Sequence, residues 1–321
     1  MGRLVERVDA WQRGHAGAAV PVALYRKFRD DRGTNLAALV TYYAFFSVFP
    51  LLLVFVSTLG FVLEDDPSLR DDVVSSALGR IPVLGPQLDD KVEPLSGSRI
   101  ALAVGLVTAL WAGLGVMLAL ARAFETIWDV PRVEQRGAVA ARLRGTVVLL
   151  VLGVGIVVST VVTGSAVTGH FGPGAERLLT VAASVGLNAL VFGVAFRVLG
   201  EPLRVVEILP GAAVAAVGAL LLQLAGTWYV DGAVDRASDT YGAFAVVIGL
   251  LSWFLLGSNL LILAAELNVV LHRRLWPRSL TGDLAPADRA AMRVAARAAQ
   301  RDEREEIAVS FEDEGRAPDP L

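Results

Sequence analysis

The chain has no cysteine. Disulfides, thiolate metal sites and cysteine nucleophiles are therefore excluded. Histidine occurs only as His15, His170 and His272, and lysine only as Lys27 and Lys91. Charge is scarce as well. Asp, Glu, Lys and Arg make up 19% of the 321 residues, against about 25% in soluble domains. The deficit is concentrated, because six stretches contain none of the four: 33–63, 100–121, 145–175, 178–196, 208–230 and 240–265.

These stretches account for a chain that is 55% hydrophobic with a mean hydropathy of +0.57. A helix rising ~1.5 Å per residue needs about 20 apolar residues to cross a ~30 Å hydrocarbon core. Each run holds at least 19 residues. The runs are continuously apolar rather than alternating, which excludes a membrane β-barrel. The expected fold is an all-α polytopic bundle of six transmembrane helices. Residues 35–275 form the membrane domain, preceded by cytoplasmic or interfacial amphipathic helices in 1–34 and followed by a cytoplasmic tail, 276–321. The first 32 residues carry seven basic residues and no apolar core of the kind that makes a cleavable signal peptide.

Orientation follows from the basic residues. With the N-terminus inside, the cytoplasmic segments hold 23 Lys/Arg and the outer segments six. Both termini are expected in the cytoplasm of a bacterial plasma (inner) membrane protein. The longest outer segment, 64–99, carries eight acids. Asp66-Pro67 reads as the start of a short surface helix there. In the tail, 286–306 has helical potential, and the acidic 311–321 reads as disordered.

Several polar residues fall at membrane depth, where they must face protein or a water-filled cavity. In the first span Tyr43, Ser47 and Pro50 share a helix face, and Pro50 removes a backbone donor, so a kink is expected near Ser47. Asn188 and Gln223 lie in the fourth and fifth spans. Ser252, Asn259 and Glu266 recur every seven residues along the sixth. Leu209-Pro210-Gly211 reads as a helix opening, because proline suits a first turn. Together Tyr43, Ser47, Pro50, Asn188, Gln223, Ser252, Asn259 and Glu266 are the candidate substrate pathway, with Arg122, Arg142, Arg144 and Arg204 as a basic cytoplasmic rim. Glu266 sits one residue beyond its apolar run and is expected to pair at the interface with Arg122 or Arg274.

Catalysis finds no support in the sequence. His170 falls on the opposite side of the membrane from His15 and His272, so the three cannot form one metal site. No phosphate-binding glycine loop, zinc-protease helix or nucleophile elbow occurs. No enzyme, catalytic residue, metal or cofactor is expected, and no nucleic-acid partner. With no carboxylate in mid-span, no ion-coupling site is expected either.

An ordered set of short segments carries one resemblance. It comprises Ala38-Leu39-Val40-Thr41-Tyr42-Tyr43-Ala44-Phe45-Phe46-Ser47-Val48-Phe49-Pro50, then Ala123-Phe124-Glu125-Thr126-Ile127-Trp128-Asp129-Val130-Pro131, then Leu209-Pro210-Gly211. Tyr241-Gly242-Ala243-Phe244, Ala265-Glu266-Leu267-Asn268-Val269-Val270 and Leu275-Trp276-Pro277-Arg278-Ser279-Leu280 complete it. Over roughly 20–280 the chain resembles the YihY/BrkB family of bacterial inner-membrane proteins, in its high-GC Gram-positive form. Glu125 stands where many members carry Asn. The resemblance implies a six-span envelope-integrity protein, with export of lipids or other amphiphiles among the activities linked to the family. It also brings an older ribonuclease label and no catalytic residues. The expected function is that of a facilitator or flippase-like transporter of a lipid or amphiphile, acting among membrane lipids. The alternative is a membrane scaffold that docks an envelope protein partner through the outer segment and the tail.

Overall fold

A computed structural model describes residues 2–62, 99–135, 137, 139–148, 150–151, 173–200, 203–229, 243–281 and 284–312. The outer segment up to residue 98 lies outside these residues, together with its expected surface helices. So do most of the third apolar run, His170, and the last nine residues of the acidic tail.

All regular structure among the described residues is helical. Two short helices, α1 (Gly2–Arg13) and α2 (Ala16–Asp30), precede three long ones: α3 (Gly33–Val62), α4 (Arg99–Ile127) and, after a 3₁₀ turn at Arg132–Glu134 and a helical stretch over 139–148, α5 (Pro173–Leu199). Then follow α6 (Val205–Tyr229), α7 (Ala243–His272) and α8 (Pro286–Arg297). Segments Gly33–Val54, Leu102–Ile127, Val181–Leu199, Val205–Gln223 and Val247–His272 are long and apolar enough to cross a membrane. In hydrocarbon a backbone must satisfy its own hydrogen bonds, which is why these runs are unbroken helices.

Helix α7 is the hub. It packs on α3, α6 and α2 and meets α4 more lightly; α3 packs on α4, and α5 on α6. The buried core sits towards one end of the bundle. It is formed by the last turns of α4 (Met117, Leu120, Phe124, Ile127), of α5 (Phe196, Leu199) and of α7 (Ile262, Ala265, Val269), with the first turns of α6 (Ile208, Ala212, Ala215). This is the end that carries α1, α2 and α8. Small residues on these helices let backbones approach closely, which is how helices associate where lipid is as apolar as leucine.

The fifth apolar helix begins earlier than expected. Pro210 lies inside α6, as the sixth residue of a helix that starts at Val205, so Leu209-Pro210-Gly211 is not an opening. The Gly211 N–H instead donates to Asn268 Oδ1 on α7 at 2.8 Å. Pro210 disturbs the local ladder, and the neighbouring helix supplies the acceptor. Helix α3 runs through Pro50 to Val62.

The terminal segments are built into the fold. On α2, Ala19, Ala23 and Lys27 form a buried stripe at i, i+4, i+8 facing α7, so this helix is a packed element and not a solvated one. Helix α1 is tied to the chain beyond α7: Gln12 Nε2 donates to the Arg278 carbonyl at 2.7 Å, and the Leu280 N–H donates to Asp9 Oδ1 at 2.7 Å. That backbone bond, with Gln12 and Arg13, outweighs burial and holds the Asp9 carboxyl below its ordinary range. Asp288 accepts from Arg278 Nε at 2.8 Å and from the Ser279 and Ala285 N–H groups. Beyond α8 the chain pairs with the 3₁₀ turn through Arg132 N–H to Ala298 O and Val133 N–H to Gln300 O. Much of the tail thus forms a plate against the bundle.

Candidate functional site

The first candidate site is a buried cluster of charge where α2, α4 and α7 converge. Lys27, on the α2 stripe, has a side chain only 4% exposed. Its ammonium donates to Asp31, at the end of α2, and to the Ile127 carbonyl at 2.9 Å. Asp129 Oδ2 lies 3.3 Å from it and Glu266 Oε2 3.6 Å. Arg273, just past α7, donates to Asp129 Oδ2 at 3.1 Å and to the Trp128 carbonyl at 2.5 Å. Burial by itself lowers the affinity of Lys27 for its proton, but Glu266, Asp31 and Asp129 outweigh it and hold the ammonium above its ordinary pKa. For Asp31 burial is the largest influence, and it leaves that carboxyl above the usual range despite Lys27.

Backbone geometry at the helix ends builds the cluster. Helix α4 ends with Val130 N–H bonded to Glu125 O and Asp129 N–H to Thr126 O, a Schellman motif with Asp129 at the left-handed position, φ 48°. Glycine fits that position at least cost, and aspartate is tolerated. Asp129 occupies it with its carboxylate between Lys27 and Arg273. Helix α7 ends in the same way, with Leu275 N–H on Val270 O and Arg274 at φ 52°.

The second candidate site is a cavity of about 910 Å³ between α3 and α4. Tyr42, Tyr43, Phe46, Phe49, Pro50 and Leu53 form one wall; Val104, Thr108, Trp111, Ala112, Leu114, Gly115 and Leu118 form the other. Arg142, from the helical stretch 139–148, is the one charged lining residue among the described residues. Thr108 Oγ1 donates to the Val104 and Gly105 carbonyls of its own helix, so its wall is effectively apolar. Gly115 makes room for the Tyr43 ring, since a Cβ there would lie 2.9 Å from Tyr43 Cδ1.

The structure divides the residues proposed from the sequence. Tyr43, Pro50 and Arg142 line the cavity. Ser47 does not; it is buried and its hydroxyl donates to the Ala44 carbonyl at 2.7 Å. Asn188 and Ser252 are half-buried, Gln223 is exposed, and Asn259 is half-buried with its amide on the Leu255 carbonyl at 2.7 Å. None of these four reaches the cavity. Glu266 is fully buried beside Lys27, rather than paired at an interface. Arg122 bonds Glu125 at 2.8 Å instead, and Arg274 is exposed. Arg144 and Arg204 are exposed, the latter with its N–H on Glu207 Oε2.

Sequence reasoning missed Lys27, Asp31 and Asp129 as members of one site, as well as Asn268 and the buried Thr41–Ser258 hydroxyl pair at 3.2 Å. One signal was present. In a chain with 27 arginines, a lysine is an exception, and a compact ammonium with three rotatable donors suits a site where three acceptors converge.

These features define a multi-pass membrane protein whose spans are knitted together at one end by buried polar contacts. The family model described as virulence factor BrkB matches residues 24–287, and the chain belongs to that family. The matched stretch contains both candidate sites. The chain is similar to the inner membrane protein YhjD of Escherichia coli (strain K12), at 26% identity over 74% of this chain and 77% of YhjD. A UPF0761 membrane protein of Azotobacter vinelandii is 26% identical over 86% of this chain and 67% of its own. YfkH of Bacillus subtilis (strain 168), whose name carries the words ribonuclease-like, is 27% identical over 78% of this chain and 94% of its own. No solved structure matches the chain.

Proposed function

We propose that this protein facilitates movement of a lipid or other amphiphile across the bacterial plasma membrane, using the cavity between α3 and α4. The observation that carries the reading is the composition of that cavity. Its ~910 Å³ falls within the range of small-molecule sites, about 300–1,000 Å³. Its walls are aromatic and aliphatic, and a single guanidinium, Arg142, stands among them. An apolar cavity with one cation suits a molecule with an apolar body and an anionic head. A basic residue near a membrane surface attracts an anionic headgroup by about 1 kcal/mol, which enriches a ligand without moving it uphill.

The test uses purified protein in vesicles with a fluorescent anionic lipid. Thr108→Trp, which fills the cavity, is expected to slow lipid movement at least about tenfold. Arg142→Gln is expected to slow the anionic lipid by roughly fivefold, the rate equivalent of about 1 kcal/mol, and a zwitterionic lipid far less. Lipid movement at the rate of protein-free vesicles would count against transport. It would favour a scaffold, a reading that draws support from the plate formed by α1, α8 and the tail, with Trp11 and Met292 exposed on it.

The orientation that fits this reading has six spans and both termini in the cytoplasm, from the excess of basic residues on that side. Ser75→Cys and Ser96→Cys should react with a membrane-impermeant thiol reagent added to intact cells, and Ala299→Cys should not. Labelling of Ala299→Cys alone would reverse the topology. We assign no catalysis to the chain. The buried Lys27 cluster is closed to a polymer, so the ribonuclease-like name of one relative finds no counterpart in it.

A further inference from the structure

The charge cluster does not balance, and its donors do not suffice. Among the described residues three carboxyls, Asp31, Asp129 and Glu266, face two cations, Lys27 and Arg273. If all five were ionised, one negative charge would remain in excess in a buried place. An ammonium has three N–H donors. Those of Lys27 are directed to Asp31, to the Ile127 carbonyl and towards Asp129. Glu266 Oε2, at 3.6 Å, lies beyond hydrogen-bond distance. Both Glu266 oxygens are fully buried and accept no hydrogen bond from any donor. Glu266 and Asp31 both approach the same Lys27 ammonium, so their carboxyls are neighbours around one cation. Two carboxyls crowded around one buried cation repel each other, and a proton held by the pair relieves that repulsion.

We propose that Asp31 and Glu266 form a proton-binding site that holds one proton between their carboxyls and tightens the junction of α2 with α7. One proton removes the excess charge and gives Glu266 its missing hydrogen bond. The route for exchange runs through Asp31, whose side chain is 10% exposed while that of Glu266 is 0%. Among the described residues no other ionisable side chain supplies this proton; on α4, Glu125 is engaged by Arg122. Helix α3 has none apart from its tyrosines, which lie at Tyr42 and Tyr43 by the cavity. Arg32 is exposed, and on α6 Glu207 is engaged by His272 at 3.3 Å. The inference stands apart from the amphiphile reading.

The pair is read directly by infrared spectroscopy of the full chain in lipid. Near neutral pH the wild type should show a protonated-carboxyl carbonyl band that weakens as the pH is raised and is absent from Glu266→Gln. Absence of such a band from the wild type would overturn the proposal. Stability gives an independent reading. A carboxyl pair that binds its proton more tightly when folded confers stability at low pH that is lost as the pH rises through its titration. The wild-type melting temperature should therefore fall from mildly acidic to mildly alkaline pH. In Glu266→Gln the amide donates permanently to Asp31 and the profile should flatten; superimposable profiles would refute the site. Should Glu266→Gln fail to fold, Asp31→Asn removes the same shared proton from the other side and is held to the same two outcomes.

Discussion

Replacing Lys27 by methionine is expected to destabilise the protein by about 3–5 kcal/mol, the usual cost of breaking a buried ion pair from one side. The methylene stem is retained, so packing against α7 changes little. The positive charge is lost, however, along with the donors to Asp31 and to the Ile127 carbonyl. Asp31, Asp129 and Glu266 then share one remaining cation, Arg273. Denaturant unfolding in micelles, followed by the fluorescence of the six tryptophans, measures the effect. Arg29→Met is the control, because Arg29, two residues further along α2, is exposed, and a change within about 0.5 kcal/mol is expected for it. The double variant Lys27→Met/Glu266→Gln should lose less than the sum of the two single changes, since the pair lies in one network. A Lys27→Met protein as stable as Arg29→Met would show that the cluster does not hold α2 to the bundle.

Enlarging Gly211 should be nearly as damaging. A Cβ at this position would lie 2.3 Å from the Ala264 carbonyl and 2.5 Å from Asn268 Nδ2. The first of these is backbone and cannot rotate away. Gly211→Val must push α6 from α7, breaking the bond between the Gly211 N–H and Asn268 and opening a seam that includes Ala212, Ala215 and Ile262. Overpacking of this kind costs about 1–3 kcal/mol, and the lost buried bond adds about 1–3 more. Gly257→Val is the matched control, because nothing lies within 4 Å of a Cβ there. Equal unfolding midpoints for the two variants would mean that α6 and α7 do not meet as described. Asn268→Leu isolates the hydrogen bond from the steric term and should fall between them.

Most of the architecture was legible because its cause is local. Crossing hydrocarbon requires a run of apolar residues and internal backbone bonding, and both are written residue by residue. Five of the expected spans have helices long and apolar enough to cross. The helical potential of the first 32 residues is likewise realised as two helices, α1 and α2. Leu209-Pro210-Gly211 misled for a related reason. Proline at a first turn and proline inside a helix look alike unless the contact beside it is visible, and Asn268, which accepts from the Gly211 N–H, lies 57 residues away.

The polar sites divide in the same way. Heptad spacing put Ser252, Asn259 and Glu266 on one face of α7, but periodicity says nothing of what stands opposite. Asn259 satisfies itself on its own helix, whereas Glu266 meets Lys27 from a helix that precedes α3 by sequence and lies against α7 in space. By itself the sequence determined a multi-pass helical membrane protein and the stretches that cross, because transfer to lipid is a property of each segment. Only tertiary structure decided which charges are buried and which residues line the cavity. Burying a charge depends on partners from distant segments, and their meeting is fixed by how the helices pack.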